Sequence, residues 1–318
     1  MTAGLSYTVK DALDDFLDKG MKGKEQETID NYRSLAKNNL IPQIGTVKLK
    51  ELTADQLDTW IDERAEELST RSLRLIHQIL ERSIRHAQAR DKVWRNVASL
   101  ITIPEGQAGR PSKAMTLEQA VALLGVVGVR SEFRLSAYVV LSLLTGVRTE
   151  EARALHWAEV DLEACTVAVY RSVRAKGDTK TRRSRRVLKM PKQVAAALKA
   201  HHKRQAAERL QAGEAWQDHD LVFSRTDGAP LDRWQVRREF ATITRVAGLG
   251  EAGTPRERRH SFVSILSASD VPLEDISHLV GHVSTSVTET VYRQEIRPAL
   301  TKGATAMDKI FKKKHKTA

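Results

Sequence analysis

A phenol, two guanidiniums and an imidazole stand in marked settings along this 318-residue chain. Tyr292 follows His282 by ten residues, in a stretch that opens Gly281-His282-Val283-Ser284 and closes Thr290-Val291-Tyr292. Upstream, Arg148 sits in Thr145-Gly146-Val147-Arg148-Thr149-Glu150-Glu151, and Arg259 in Thr254-Pro255-Arg256-Glu257-Arg258-Arg259-His260. Such a set suits metal-free attack on a phosphodiester. The diester is anionic and repels nucleophiles, so attack needs cations that neutralise the charge growing on its non-bridging oxygens. Arginine does this with a planar fork of parallel donors that stays charged at any working pH. Tyr292, with an ordinary pKa near ~10, is mostly neutral at pH 7 and needs a base or a cationic field to attack.

Each residue also has a plainer reading. Arg148 follows a glycine at the start of a short helix. Glu151, one turn on, could orient it, or the two could be a surface ion pair worth ~0.3–0.5 kcal/mol. Thr254, Pro255 and Glu257 spell a helix start, with Thr254 as N-cap, proline first and glutamate third. Arg256 and Arg259 then lie one turn apart near its positive end, where cations are disfavoured unless an anion is bound. The hairpin 171–186 sets Arg171, Arg174, Lys176, Lys180, Arg182, Arg183, Arg185 and Arg186 against one acid, Asp178. That density repels itself unless an anion lies close by. Lys180, able to release a proton, could be general acid for a leaving alkoxide. Taken alone, a tyrosine on a Val- and Thr-rich helix is ordinary packing.

The elements that must position these groups divide in two. At 318 residues the length suits about two domains, and an apolar fraction of 41% can bury real cores. Net charge is +12, which points to a polyanionic partner. Residues 1–110 carry 17 Lys+Arg and 17 Asp+Glu, whereas residues 111–318 carry 35 and 23 and so hold the whole excess. Cys165 is the only cysteine, so neither an internal disulfide nor a Cys-based zinc site is expected, and Asp161 and Glu163 lack the clustering of a two-metal site. No metal or cofactor is expected. No window resembles a signal core or a membrane span, so a cytoplasmic, nucleoid-associated protein is expected.

The first hundred residues predict four helices. Thr8 with Asp11 caps the first. The second carries Ile29, Tyr32, Leu35, Ala36 and Leu40 and stops near Pro42. Thr53 with Gln56 caps the third, ahead of Leu57, Trp60 and Ile61. The fourth starts near Thr70 and buries Leu73, Ile76, Leu80 and Ile84. Its other side sets Arg71, Arg74, Gln78, Arg82 and Arg85 in steps of three and four, a stripe for phosphates or a plain solvent face. Residues 104–114, with Pro104, Gly106, Gly109 and Pro111, read as a linker. Beyond it, Thr116 and Gln119 cap a helix, residues 132–145 form an apolar one, and Ala164–Val173 pairs with Arg185–Met190 as a hairpin. Helices follow at roughly 191–210, 231–246, 255–268, 272–280 and 285–292. Trp60, Trp157 and Trp234 read as core or rim packing and the His201-His202 pair as solvated.

Together these segments resemble the tyrosine recombinase (phage integrase) family from about residue 5 to 295. The resemblance rests on Thr145-Gly146-Val147-Arg148-x-x-Glu151, Lys180-Thr181-x-x-Ser184-x-Arg186, Thr254-Pro255-x-Glu257-x-Arg259-His260-Ser261-Phe262 and Leu279-Val280-Gly281-His282 with Tyr292, in this order and spacing. It implies a mainly α fold: an N-terminal four-helix, SAM-like core-DNA-binding domain over 1–103, then an α-rich α+β catalytic domain over 115–318, with a small antiparallel sheet and a basic tail. It implies that Tyr292 attacks the scissile phosphate of a DNA attachment site, leaving a 3′-phosphotyrosyl link. Arg148, Arg259 and His282 hold the phosphate, with Arg256 and the orienting Glu151 beside them, and Lys180 protonates the 5′-oxygen. Arg71, Arg74, Arg85, Arg182, Arg183 and Arg185 are the expected DNA contacts. Four protomers would act on two duplexes, with an excisionase or a host DNA-bending factor as the accessory partner.

The chain departs from the family in two places. Arg256 stands where the family usually has histidine, and arginine can donate to phosphate but cannot act as a base. The Tyr292 proton must then go to His282, water or the phosphate. The His282-to-Tyr292 interval is one residue longer than is common, which leaves open whether Tyr292 acts in cis or in trans. No arm-site-binding domain is expected here, as in a truncated chain or a naturally simple member. Two other functions remain open from the sequence: a type IB topoisomerase, and a sequence-specific DNA-binding protein that has lost catalysis.

Overall fold

The structure is a computed structural model, described here for residues 6–109, 114–129, 133–173, 177, 184–250 and 254–281. The chain forms two compact units, Met1–Pro111 and Ser112–Ala318.

The first unit is helical. It comprises α1 (Val9–Asp15), α2 (Gln26–Leu35), α3 (Ile41–Ile44), α4 (Ala54–Ala65) and α5 (Thr70–Gln88). Capping boxes open α1 at Thr8–Asp11 and α4 at Thr53–Gln56. In each, the side chains of the pair satisfy two otherwise unpaired backbone N–H groups. The second helix does not stop near Pro42 as expected. It widens into a π-helical turn, Ala36–Leu40, and runs on as α3 with the proline in its first turn. Restarting the helix at that point puts Pro42 where a missing N–H costs nothing. Leu13, Leu40, Leu57, Ile61, Leu73, Ile76, Ile79 and Leu80 are fully buried. The expected apolar face of α5 is thus the centre of this core. Residues beyond Ile103 still pair with it: Gly106 N–H donates to Thr70 Oγ1 at 3.0 Å and Gln107 N–H to Leu68 O at 2.8 Å.

The second unit builds its core on α7 (Ser136–Thr145), buried on nearly every side and packed against α6 (Leu117–Val129), α9 (Lys192–Ala212) and α11 (Glu257–Ala268). A helix apolar all round must be enclosed this way. Between α8 (Thr149–Arg153) and α9 lies a three-stranded antiparallel sheet in the order β1 (Val160–Asp161), β2 (Thr166–Val169), β3 (Arg186–Lys189). β2 pairs with β3 from Thr166↔Lys189 to Val169↔Arg186, and Val167, Val169 and Leu188 turn into the core. α10 (Arg233–Val246) and α12 (Leu273–Val280) complete the described elements.

Several expectations change. The described α11 begins at Glu257, with Arg256 rather than Thr254 at its cap, although Glu257 still reaches back to the Thr254 N–H. His201 is buried, not solvated: Nε2 donates to Val222 O at 2.6 Å, while Nδ1 accepts from Arg204 Nη2 at 2.7 Å. Trp234 is a surface residue, flanked by the guanidiniums of Arg233 and Arg237 at 5.1 and 5.9 Å from its ring. Among the described residues, no helix is long and apolar enough to cross a membrane.

Candidate active site

The site of the second unit starts where α7 ends. Gly146 takes a left-handed φ of 64° as the C-cap of α7, and a Cβ there would lie 2.5 Å from Phe262 Cδ1 on α11. Only glycine allows both the turn and the close approach. Two residues on, Arg148 becomes the N-cap of α8, which fixes Glu151 one turn away.

Glu151 is the organising group. Its side chain is 3% exposed, so the pair with Arg148 is not a surface ion pair. Oε1 accepts from Arg148 Nη1 at 2.5 Å and Oε2 from the Arg148 backbone N–H at 2.9 Å. Arg186 binds the same carboxylate as a fork, Nη2 to Oε2 at 2.9 Å and Nη1 to Oε1 at 3.3 Å. Burial pushes the Glu151 carboxyl upward, but the Arg186 and Arg148 guanidiniums and the backbone N–H outweigh it and hold the pKa at about 2. The carboxylate is therefore ionised at any working pH and holds the two arginines in plane.

Three arginines converge on the end of α12. Arg186 Nε donates to Leu279 O at 2.8 Å, Arg259 Nη2 to Val280 O, and Arg148 Nη2 to Gly281 O at 3.3 Å. Arg259 Nη1 also donates to Gly146 O at 2.8 Å, tying α11 to the α7 cap. The last carbonyls of a helix have no partner within it and carry the negative end of its dipole, so cations belong there. Gly281 closes α12 in the left-handed conformation, and His282 is the next residue. Arg148 and Arg259 each spend two of an arginine's five N–H donors on these bonds. Arg259 is nearly enclosed, and burial together with the nearby Arg148 pulls its pKa well below the ordinary value.

Arg256 is exposed, and burial, then Arg256 and Arg259, lower the pKa of the half-buried His260. Arg258 is fully buried, its guanidinium 4.2 Å from the Phe240 ring centre and 5.1 Å from that of Tyr138. Arg148, Glu151 and Arg259 are thus brought together. Arg185 is exposed at the foot of β3. Lys180, Arg182, Arg183, His282 and Tyr292 lie outside the described residues, as does the helix expected at 285–292. In the first unit, Arg71 and Arg74 are exposed with no side-chain partner among the described residues, Arg82 lies over the Phe16 ring at 5.3 Å, and Arg85 pairs with Glu81.

The sequence leaves Arg186 without a role in the site, as one cation among eight in the hairpin. A signal is present all the same: it shares parity with Leu188 and Met190, both buried, while Val187 and Lys189 are exposed. Alternation along a strand therefore sends Arg186 inward with them.

Residues 113–297 match the phage integrase family and residues 8–64 the SAM-like N-terminal domain of phage integrases. An integrase of Streptomyces ambofaciens is 48% identical over 322 aligned positions, covering 98% of this chain and 82% of that protein. The integrase of Staphylococcus phage L54a is 21% identical, covering 88% and 86%. The Tn1549 transposon integrase in complex with a circular intermediate DNA has the same fold, with a TM-score of 0.74 at 15% identity over 96% of this chain and all of that one. So has a lambda integrase dimer bound to a COC′ core site, at 0.69 and 17% over 93% and 81%. The chain belongs to the phage integrase family, the site-specific tyrosine recombinases.

Proposed function

We propose that this recombinase cleaves and rejoins double-stranded DNA attachment sites through a 3′-phosphotyrosyl intermediate, as the integrase of a phage or integrative element. Tyr292 Oη attacks the scissile phosphorus, the P–O5′ bond breaks, and Lys180 gives the 5′-oxygen its proton. Arg148, Arg256, Arg259 and His282 bind the non-bridging oxygens. The new ester keeps the energy of the broken bond, so a 5′-hydroxyl from a second duplex reseals it without ATP. Arginine at 256 cannot take the Tyr292 proton; it leaves to His282, water or the phosphate. The first unit clasps the core site with Arg71, Arg74 and Arg85, and Arg182, Arg183 and Arg185 add contacts from the second. A homotetramer on two duplexes completes the reaction, with an excisionase or host DNA-bending factor selecting direction.

The observation that carries this reading is the pairing of Arg148 and Arg186 on one buried carboxylate and the convergence of both, with Arg259, on the last carbonyls of α12, directly before His282 in the chain. Buried cations held this closely repel one another, and an anionic substrate relieves that cost. Identity to an integrase over nearly the whole chain favours strand exchange over relaxation of a single duplex. The test is a nicked suicide duplex carrying the attachment site. Wild type should leave an SDS-resistant, protease-sensitive adduct, and Tyr292→Phe should bind the duplex without forming one. An adduct from the Phe variant would mean that another residue is the nucleophile.

A further inference from the structure

The first unit ends α5 in a feature the strand-transfer chemistry leaves unused. After Gln88 the chain turns through Asp91, which takes a left-handed φ of 54°. Gln88 Nε2 donates to Trp94 O, Asn96 Nδ2 to Glu81 O, and Arg90 Nη1 to His86 O, each at 2.9 Å. These bonds fasten the segment back onto the helix it has left, so the main chain that carries Trp94 is anchored. It carries the side chain in solvent: Trp94 is 94% exposed. Leaving so large an apolar side chain in water forgoes the burial that usually decides where tryptophan goes.

Arg95, the chain neighbour of Trp94, lines a surface cavity of about 520 Å³ together with Arg85, Gln88, Asn96, Ser99 and Leu100. Two guanidiniums, two amides and a hydroxyl line it, and Leu100 at its edge is 62% exposed. Arg85 and Gln88 are one turn apart and continue the steps of Arg71, Arg74 and Gln78 along α5, so the cavity is the end of that stripe. Residues 81–96 hold five Lys and Arg against two acids. Two copies of this chain meeting through this face would set like charge against like, whereas a polyanion meets complementary charge.

We propose that the DNA contact of the first unit extends past α5 onto this cavity: Arg85 and Arg95 receive one backbone phosphate, and the Trp94 indole packs against the adjoining deoxyribose or base edge. The proposal rests on the reading of α5 as the DNA-facing helix. Arg95 meets no side-chain partner among the described residues, so its donors are available. Duplex DNA offers this pairing of anion and flat apolar surface at adjacent points along the stripe.

The test uses the full chain and a mixed-sequence duplex at low salt. The Trp94 signal is the difference in acrylamide quenching of fluorescence between wild type and Trp94→Phe, a change at an exposed position that leaves no void. Free protein should show a steeply quenched component that falls several-fold once DNA saturates the protein. Arg95→Ala should weaken binding and lower the slope of log K against log salt by about one. A Trp94 component equally quenched with DNA bound overturns the proposal. So does shielding that appears without DNA and grows with protein concentration, which would assign the face to a second copy. The joint variant Arg71→Ala/Arg74→Ala separates the two readings. Unchanged affinity overturns the assignment of α5 and this extension with it, whereas weakened affinity with an unshielded Trp94 overturns the extension alone.

Discussion

Replacing Glu151 with glutamine keeps the shape of the side chain and removes its charge, and the structure sets the size of the effect. The carboxylate is held at about 2, against an ordinary 4.5, by Arg186, Arg148 and a backbone N–H. At 1.36 kcal/mol per tenfold, that descent is worth roughly 3 kcal/mol of stability at neutral pH. The sign is that of a lowered acid: the contribution is complete above 4.5 and disappears as pH falls through about 2. Glutamine leaves two guanidiniums side by side with no anion between them, so a loss of ~3 kcal/mol is expected, within the range for breaking a buried pair. For a unit of this size it lowers the melting temperature by roughly 6–12 °C. Calorimetry and far-ultraviolet melts measure the loss, and urea titrations from neutral pH down to 2 measure its pH dependence. In Glu151→Gln the acid-dependent part should flatten. Adding Arg186→Met should recover part of the stability while leaving Arg148 without its orienting partner and cleavage impaired. A Gln variant that melts with wild type, or that keeps the full slope between 4.5 and 2, would refute the idea that this carboxylate organises the arginines.

Lys180→Ala should cleave an ordinary duplex poorly and recover on a 5′-bridging phosphorothiolate, whose leaving group needs no proton; an equal defect on both would exclude Lys180 as the general acid. His201 is held at about 4, against an ordinary 6.5, chiefly by burial. Its neutral form is the folded one, so acidification from 6.5 to 4 should remove roughly 3 kcal/mol from the second unit. His201→Gln should flatten that dependence in urea titrations at stepped pH, and an unchanged profile would exclude the histidine. Gly146→Ala combines a left-handed backbone with a side-chain carbon 2.5 Å from Phe262. A loss of more than ~2 kcal/mol and a marked fall in adduct yield are expected, since the backbone term alone costs ~1–2 kcal/mol; a variant as stable as wild type would contradict the described turn.

Local signals carried well from sequence to structure. The boxes at Thr8–Asp11, Thr53–Gln56 and Thr116–Gln119 are side-chain bonds across three residues, so their whole cause lies within the window that reveals them. The buried face of α5 comes from its period, and the pairing of β2 with β3 from β-branched alternation. What stayed hidden depends on distant partners. Arg186 goes inward because Glu151, 35 positions away, and the Leu279 carbonyl, 93 positions away, receive it. His201 is buried because Val222 O and Arg204 satisfy both ring nitrogens. Arg258 is buried because the rings of Phe240 and Tyr138 take its cation. A charged residue with its partner elsewhere in the chain looks, in sequence, like one facing water. Pro42 misled for the opposite reason: a local breaker was overridden by a wider turn just before it.

The shared use of arginine at the close of α12 bears on how mutants behave. Arg148 and Arg259 each hold a carbonyl of the final turn with only some of their donors. Truncating either one slackens the anchorage of the polypeptide leading to His282 and, on the function proposed above, also weakens the grip on an incoming anion. A drop in turnover from such a variant therefore sums two losses. Citrulline, which keeps the fork's outline without its charge, would tell them apart.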